Sequence, residues 1–149
     1  MKIIFLDIDG VLNFYKSKKI DTRCLFYLKR IVKKTNAYIV LSSSWKESVL
    51  YPQCCSEFDN QVLDDLMNRS GLPFIGVTPD IDPRRREVEI QEWLKTAPEP
   101  VESFVIIDDL KFGFPVTFHD NFVQTSGFLK WGLTYRQASK AIKILNHKL

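Results

Sequence analysis

Three short, almost purely apolar segments dominate the pattern of hydrophobic and polar positions along the chain. They cover residues 2–6, 37–41 and 103–107, and polar residues follow each of them at once. Apolar runs of this length without alternation are typical of parallel strands that are buried on both faces. We therefore predict a central parallel sheet with these three segments as its main strands, and two weaker strands at 74–77 and 122–124.

Between these segments, apolar residues recur at the three- and four-residue spacing of helices that are buried along one face. The clearest helix is expected to follow Asp21 as its N-cap and to extend to about Thr35. Further helices are expected from Asp59 or Asn60 to Gly71, from the arginines at 84–86 to Pro98, and from Thr134, which can form a capping box with Gln137. Residues 46–56 fit neither period and are predicted to be a loop or a broken helix.

This order of elements predicts the fold class. A strand, a helix and a second strand in succession form a right-handed crossover with parallel strands. The chain has 149 residues, the size of one ordinary domain, and it contains no repeat, linker or low-complexity segment. We expect a single three-layer α/β domain over residues 1–149, Rossmann-like, with a central parallel sheet and no sizeable cap domain.

Composition adds expectations about compartment and partners. Three cysteines without a framework spacing suit a reducing compartment, and the sequence has neither signal-peptide features nor an apolar run of ~18 residues. These features predict a soluble, cytoplasmic protein without a membrane segment. The net charge of +3 is too small to indicate nucleic-acid binding by itself, and local basic clusters such as 16–19 are more often solvated surface.

The first candidate for chemistry lies directly after the first strand, at Asp7 and Asp9. Residues i and i+2 of an extended chain point to the same side, so these carboxylates should share one small space. Like charges so close are costly unless a cation lies between them or one carboxyl is protonated. An Asp-x-Asp-Gly sequence also occurs in plain turns and in calcium-binding loops, and the tetrapeptide alone does not distinguish these alternatives.

Polar residues also follow the other two main strands: Ser42 after the second, and Asp108 with Asp109 after the third. In open parallel sheets the ligand crevice lies outside the carboxyl ends of the strands. We therefore expect these side chains to meet Asp7 and Asp9 at one edge of the sheet.

These motifs resemble those of the haloacid dehalogenase (HAD) superfamily of aspartate-nucleophile phosphohydrolases. Residues 7–11 match its first motif, 41–42 its second and 106–109 its acidic fourth, while Arg86, with Arg84 and Arg85 as alternatives, matches its basic third. The chain is also similar to a smaller branch, the HAD domain of Swiss army knife RNA-repair proteins. The matching segments are 9–13, 41–45, 75–79, 89–94 and 132–134.

The resemblance implies a HAD-like fold and a Mg²⁺-dependent phosphatase that acts through an aspartyl-phosphate. It implies that Asp7 is the nucleophile, that Asp9 is the general acid and base, and that Ser42 and Arg86 contact the phosphoryl group. Gly10, Ser43 and Arg85 are the implied substrate-binding residues. The implied metal ligands are Asp7, the backbone carbonyl of Asp9 and Asp109, with Asp108 as a further ligand or as a partner of the ligands.

The substrate is harder to predict. Few residues separate Asn13 from the first helix, so a cap domain there is not expected, and an open site favours a phosphorylated macromolecule. A nucleic-acid end and a phosphoprotein both fit, and Lys16, Lys18 and Lys19 suit either. A protein phosphatase and a catalytically idle HAD-fold binding module remain the alternatives. A histidine phosphatase is disfavoured, because neither His119 nor His147 lies in a Gly-rich or Arg-His setting.

Overall fold

A five-stranded sheet forms the centre of the computed structural model, which describes residues 1–14, 17–126 and 131–147. The strands are β1 (Lys2–Leu6), β2 (Tyr38–Leu41), β3 (Phe74–Val77), β4 (Ser103–Asp108) and β5 (Phe122–Gln124). They are all parallel, in the order β3-β2-β1-β4-β5. The predicted parallel sheet is thus confirmed, including its two weaker strands.

The register of the three central strands brings their carboxyl ends to the same level. Leu6, the last residue of β1, lies beside Leu41 of β2 and Ile107 of β4. The ladder continues one step further, because the Asp7 amide donates to the Ile107 carbonyl at 3.0 Å and the Ser42 amide donates to the Leu6 carbonyl at 2.8 Å. The polar residues that follow these strands are therefore neighbours.

The described residues form six α-helices, of which five lie between strands and the last follows β5. They are α1 (Thr22–Thr35), α2 (Glu47–Leu50), α3 (Glu57–Asp64), α4 (Arg86–Lys95), α5 (Phe114–Thr117) and α6 (Tyr135–Asn146). Short 3₁₀ turns cover Ser44–Lys46, Pro52–Cys54 and His119–Asn121, and a π turn over Asp65–Arg69 extends α3. The region 46–56 is a series of short helical turns, which agrees with the predicted broken helix.

Helices cover both faces of the sheet, because side chains of β1 alternate between two apolar cores. Ile4 and Leu6 pack into one core with residues of α1, α3 and α6, whereas Ile3 and Phe5 pack into the other with Ile90 of α4. The three-layer α/β architecture is thus confirmed. Among the described residues, only a short connection joins β1 to α1, so no cap domain is inserted there.

The helix caps test the predicted boundaries. Asp21 caps α1 by accepting bonds from the Arg23 and Cys24 amides at 3.0 Å, and Thr134 forms the expected capping box with Gln137. The prediction that Asp59 or Asn60 caps α3 is wrong. Ser56 is the N-cap, because its hydroxyl accepts from the Asp59 amide at 3.1 Å, and the helix begins one residue later. Asp59 lies in the first turn, where the helix dipole favours an acid.

No helix in the described part of the chain is long and apolar enough to cross a membrane.

Candidate active site

Three carboxylates meet at the carboxyl edge of the sheet. Asp7 follows β1 directly, Asp108 ends β4, and Asp109 comes next. One oxygen from each lies within 4.8 Å of the others. Asp7 and Asp108 are only 3% and 1% exposed, and Asp109 is half-buried. We call these residues, together with Arg86, the carboxylate cluster.

Arg86, the first residue of α4, contacts two of the three acids. Its Nη1 lies 3.1 Å from Asp7 Oδ1 and 2.7 Å from Asp108 Oδ2. The guanidinium also lies over the ring of Phe112, 4.7 Å from the ring centre, which adds a cation–π contact. One positive charge therefore faces three carboxyl groups, and two negative charges remain uncompensated if all three are ionised.

The structure distinguishes the three arginines at 84–86. The Arg85 side chain is 63% exposed, and its Nε lies 3.4 Å from Glu87 Oε1. Arg84 is almost fully exposed and pairs with Asp82. Arg86 is the one of the three that contacts the carboxylate cluster, and Arg85, which the resemblance implied as a substrate-binding residue, points away from it.

Burial raises the pKa of each acid in the cluster, and a neighbouring carboxylate adds to the rise at Asp7 and Asp108. Burial raises the pKa of Asp7 to about 6, although the charge of Arg86 and the Ser43 hydroxyl act in the opposite direction. Burial and the charge of Asp7 raise the pKa of Asp108 well above its usual range, and burial raises that of Asp109. The ionised cluster is thus unfavourable unless a further positive charge joins it.

Two buried oxygen atoms at this site have no hydrogen-bond partner among the described residues: Asp7 Oδ1 and Ser42 Oγ. The contact of Asp7 Oδ1 with Arg86 is an ion pair without hydrogen-bond geometry. Most buried polar atoms in folded proteins are satisfied, so these atoms point to a missing ligand. Ser43, also buried, differs because its hydroxyl accepts from the Trp45 amide at 3.3 Å.

Asp9 lies on the solvent side of the cluster. Its side chain is exposed, and its Oδ1 accepts a hydrogen bond of 2.9 Å from Asn13 Nδ2. Asn13 is itself buried, and its own oxygen accepts from the Gly10 amide at 3.1 Å. Asn13 therefore fixes both the loop and the orientation of Asp9. No role for Asn13 was predicted from the sequence, although a short polar residue just after an Asp-Gly turn is a signal for such a bond.

Gly10 allows the loop after β1 to approach Asp109 closely. Its φ of 74° is in the left-handed region, and a Cβ at this position would overlap the Asp109 carboxylate. Its carbonyl accepts from Thr125 Oγ1 at 2.9 Å. Thr125 is buried after β5 and was not predicted from the sequence. Thr125 thus links the segment after β5 to the loop after β1.

The donor set fits a hard divalent cation. Such ions prefer carboxylate oxygen, and three oxygens that all lie within 4.8 Å of one another are near enough to approach the same ion. Asp7 Oδ1, which has no hydrogen-bond partner among the described residues, and the raised pKa values of the acids agree with this fit.

Other residues considered from the sequence lie elsewhere. Lys18 bonds to Asp59, and Lys16 lies outside the described residues. His119 precedes β5, at the opposite end of that strand from the cluster, and pairs with Asp120. His147 is exposed after α6.

Comparison with known families agrees with this geometry. The family described as the HAD domain in Swiss Army Knife RNA repair proteins matches residues 3–138, which is most of the chain. The chain belongs to this family. The HAD match includes all four motif segments, from Asp7 to Asp109. Searches of curated proteins and of solved structures gave no significant match. Membership of a HAD family indicates a hydrolase of the phosphatase type.

Proposed function

We propose that this HAD domain is a Mg²⁺-dependent phosphomonoester hydrolase that acts on the phosphorylated end of a nucleic acid. The observation that carries the proposal is the carboxylate cluster, in which three acids share one site with a single arginine. The RNA-repair proteins named in the family description support nucleic acid as the substrate class.

Asp7 is the proposed nucleophile. Its buried Oδ1 accepts no hydrogen bond from the described residues, so few contacts must be broken before it attacks phosphorus. The new bond joins Asp7 to phosphorus as the bond to the leaving oxygen breaks, which gives an aspartyl-phosphate. Arg86 neutralises part of the developing charge, and the Ser42 hydroxyl, which has no partner among the described residues, donates a hydrogen bond to a phosphoryl oxygen.

Asp9 is the proposed general acid and base. It donates a proton to the leaving oxygen in the first half-reaction and accepts one from the attacking water in the second. Its exposed position gives it access to both the leaving group and solvent. Asn13 holds the carboxylate in one orientation for both steps.

The proposed ligands of Mg²⁺ are Asp7, Asp109 and the backbone carbonyl of Asp9, with Asp108 as a further ligand or as a partner of Arg86. Both oxygens of Asp108 already have partners, in Arg86 and in the Leu110 amide, which favours the second role. When bound, the cation neutralises carboxylate charge and so allows a phosphate dianion to approach the site.

A substrate panel tests the proposal. It compares the hydrolysis of end-phosphorylated RNA and DNA, phosphotyrosine and phosphoserine peptides, sugar phosphates and p-nitrophenyl phosphate, all with Mg²⁺. The proposal predicts turnover of p-nitrophenyl phosphate and the highest kcat/KM with a nucleic-acid end. A higher kcat/KM with the phosphopeptides would indicate a protein phosphatase, and no turnover with any substrate would indicate an idle binding module.

A further inference from the structure

A pocket opens beside Asp9, and its lining includes Asp9 but not Asp7. Its volume is about 220 Å³. The 3₁₀ turn after β2, helix α2 and the first turn of α3 form its walls, and the lining includes Asp9, Lys18, Trp45, Glu47 and Asp59. Because Asp9 belongs both to this pocket and to the proposed reaction centre, a group in the pocket would lie next to the general acid.

The lining of this pocket is acidic. Lys18, its single cation among the described residues, donates to both carboxylate oxygens of Asp59 at 2.9 Å. This pairing leaves Asp9 and Glu47 without an ion-pair partner among the described residues. A second anion in the pocket would face the charge of Glu47, and that of Asp9 whenever Asp9 is ionised, whereas hydroxyl groups could donate hydrogen bonds to either side chain.

The geometry points to a leaving-group site, an inference that rests on the proposed function. We infer that the pocket receives the terminal sugar of the substrate and rejects a phosphate in the same position. The enzyme should therefore hydrolyse monophosphate ends and discriminate against diphosphate ends.

The size and chemistry of the pocket agree with this assignment. Its volume is below the roughly 300–1,000 Å³ of sites for drug-sized ligands, so it fits one sugar-sized group and not a longer segment. With a monophosphate end, the bond between phosphorus and the sugar oxygen breaks, and Asp9 donates its proton to that oxygen. With a diphosphate end, the departing oxygen belongs to a charged phosphate, which repulsion by the Glu47 carboxylate disfavours.

The test compares kcat/KM for one oligonucleotide that carries either a 5′-monophosphate or a 5′-diphosphate, in the parent and in Glu47→Gln. We expect the parent to favour the monophosphate end at least tenfold at low salt. Glu47→Gln should reduce this preference roughly threefold to tenfold, and added salt should weaken the effect. Glu57→Gln is the matched control, because it removes the same charge from an exposed position outside the pocket lining, and it should leave the preference unchanged.

Several results would overturn the inference. Equal kcat/KM for the two ends in the parent would do so, as would an equal change of preference in Glu47→Gln and Glu57→Gln. A phosphoserine peptide with a higher kcat/KM than either oligonucleotide would exclude a sugar as the occupant. If neither oligonucleotide nor p-nitrophenyl phosphate is hydrolysed, the proposed function fails, and this inference fails with it. Turnover of p-nitrophenyl phosphate without any preference between the two ends refutes the inference alone.

Discussion

Helix α4 contributes one charged residue to each of two buried charged groups, and the two groups differ in composition. Arg86 belongs to the carboxylate cluster, with three acids around it. Glu89, one turn further along, pairs with Lys46 at 2.6 Å, and both residues of this Lys46–Glu89 pair are at most 5% exposed. The first group has an excess of acids, whereas the second is balanced.

The two groups also differ in how well their polar atoms are satisfied. Lys46 Nζ donates to the Pro79 carbonyl as well as to Glu89, and the other Glu89 oxygen accepts from the Ile81 amide at 3.0 Å. In the carboxylate cluster, Asp7 Oδ1 has no hydrogen bond among the described residues, and the pKa values of its acids are raised. The Lys46–Glu89 pair is thus balanced in charge and hydrogen-bonded where it joins α4 to the turn after β2 and to residues 79–81. The carboxylate cluster has an excess of acids where we propose chemistry.

The largest expected effect is on catalysis, from Asp7→Asn in the carboxylate cluster. It removes the nucleophile and one proposed metal ligand at nearly constant volume, so we expect kcat to fall by about 10⁴-fold or more while the fold is retained. Steady-state hydrolysis of p-nitrophenyl phosphate, with circular dichroism as the control for folding, checks this. Asp7→Glu should also be inactive, because the longer side chain misplaces the attacking oxygen. A Glu variant as active as the parent would argue against covalent catalysis.

In the Lys46–Glu89 pair, Lys46→Met should mainly reduce the stability of the fold. It leaves Glu89 charged and buried without its partner, which costs about 3–5 kcal/mol in the free energy of unfolding. Adding Glu89→Leu should recover part of that loss, because the unpaired charge is then removed. Urea unfolding measures both variants. Lys95→Met is the control, since the exposed Lys95–Glu92 pair should contribute about 0–1 kcal/mol. Equal losses for Lys46→Met and Lys95→Met would show that the buried pair has no special role.

In metal-free protein, Asp7→Asn should increase stability, whereas Lys46→Met should decrease it. An ionised Asp7 is unfavourable in the folded state, as its raised pKa shows, and Asn removes that charge. We expect the free energy of unfolding at pH 8 with EDTA to rise by about 1–3 kcal/mol, because each pKa unit corresponds to about 1.4 kcal/mol. A variant less stable than the parent under these conditions would show that Asp7 contributes net stabilising contacts.

This gain should depend on pH in a defined window. The folded-state pKa of Asp7 is about 6, above the ordinary value of 3.8, so the folded protein binds the proton more tightly than the unfolded chain. The stability that Asp7 contributes is therefore fully present below about pH 4 and is lost as the pH rises through 6. The difference between Asp7→Asn and the parent should widen over that interval and then level off. Thermal unfolding of the two proteins from pH 4 to 8, with EDTA, measures it, and a constant difference would contradict the raised pKa.

Arg85→Ala should have the smallest effect. Its side chain is largely exposed and contacts Glu87 instead of the carboxylate cluster. We expect kcat to change less than about threefold and stability to change by less than about 0.5 kcal/mol. Arg86→Ala is the comparison, and it should greatly reduce kcat. Similar losses of kcat in the two variants would mean that Arg85 moves towards the substrate on binding.

The sequence was sufficient for the sheet because continuous apolar segments such as residues 2–6 leave few alternatives to buried parallel strands. The convergence of Asp7 and Asp108 also followed from strand order alone. The buried acids Glu87 and Glu89 could not be predicted in this way. An acid in a helix usually faces solvent, and their partners, the Gly113 amide and Lys46, are distant in the chain.

The supporting residues of the site were missed for a related reason. Asn13 and Thr125 act through hydrogen bonds to backbone and to Asp9, and such bonds leave no periodic pattern in the sequence. The strand ends showed where the chemistry lies, whereas the positions of Arg84, Arg85 and Arg86 depend on where α4 begins. Arg85, the N-cap of α4, makes no side-chain capping hydrogen bond, so the sequence carries no capping signal for that boundary.

The central claim is that the excess negative charge of the carboxylate cluster serves a cation and a phosphate. Its most direct test is the rate of p-nitrophenyl phosphate hydrolysis as Mg²⁺ is titrated into protein first treated with EDTA. We predict no turnover without the metal, a saturable rise as Mg²⁺ is added, and no such rise in Asp7→Asn. Turnover that persists in EDTA, or a Mg²⁺-dependent rise that survives Asp7→Asn, would contradict the claim.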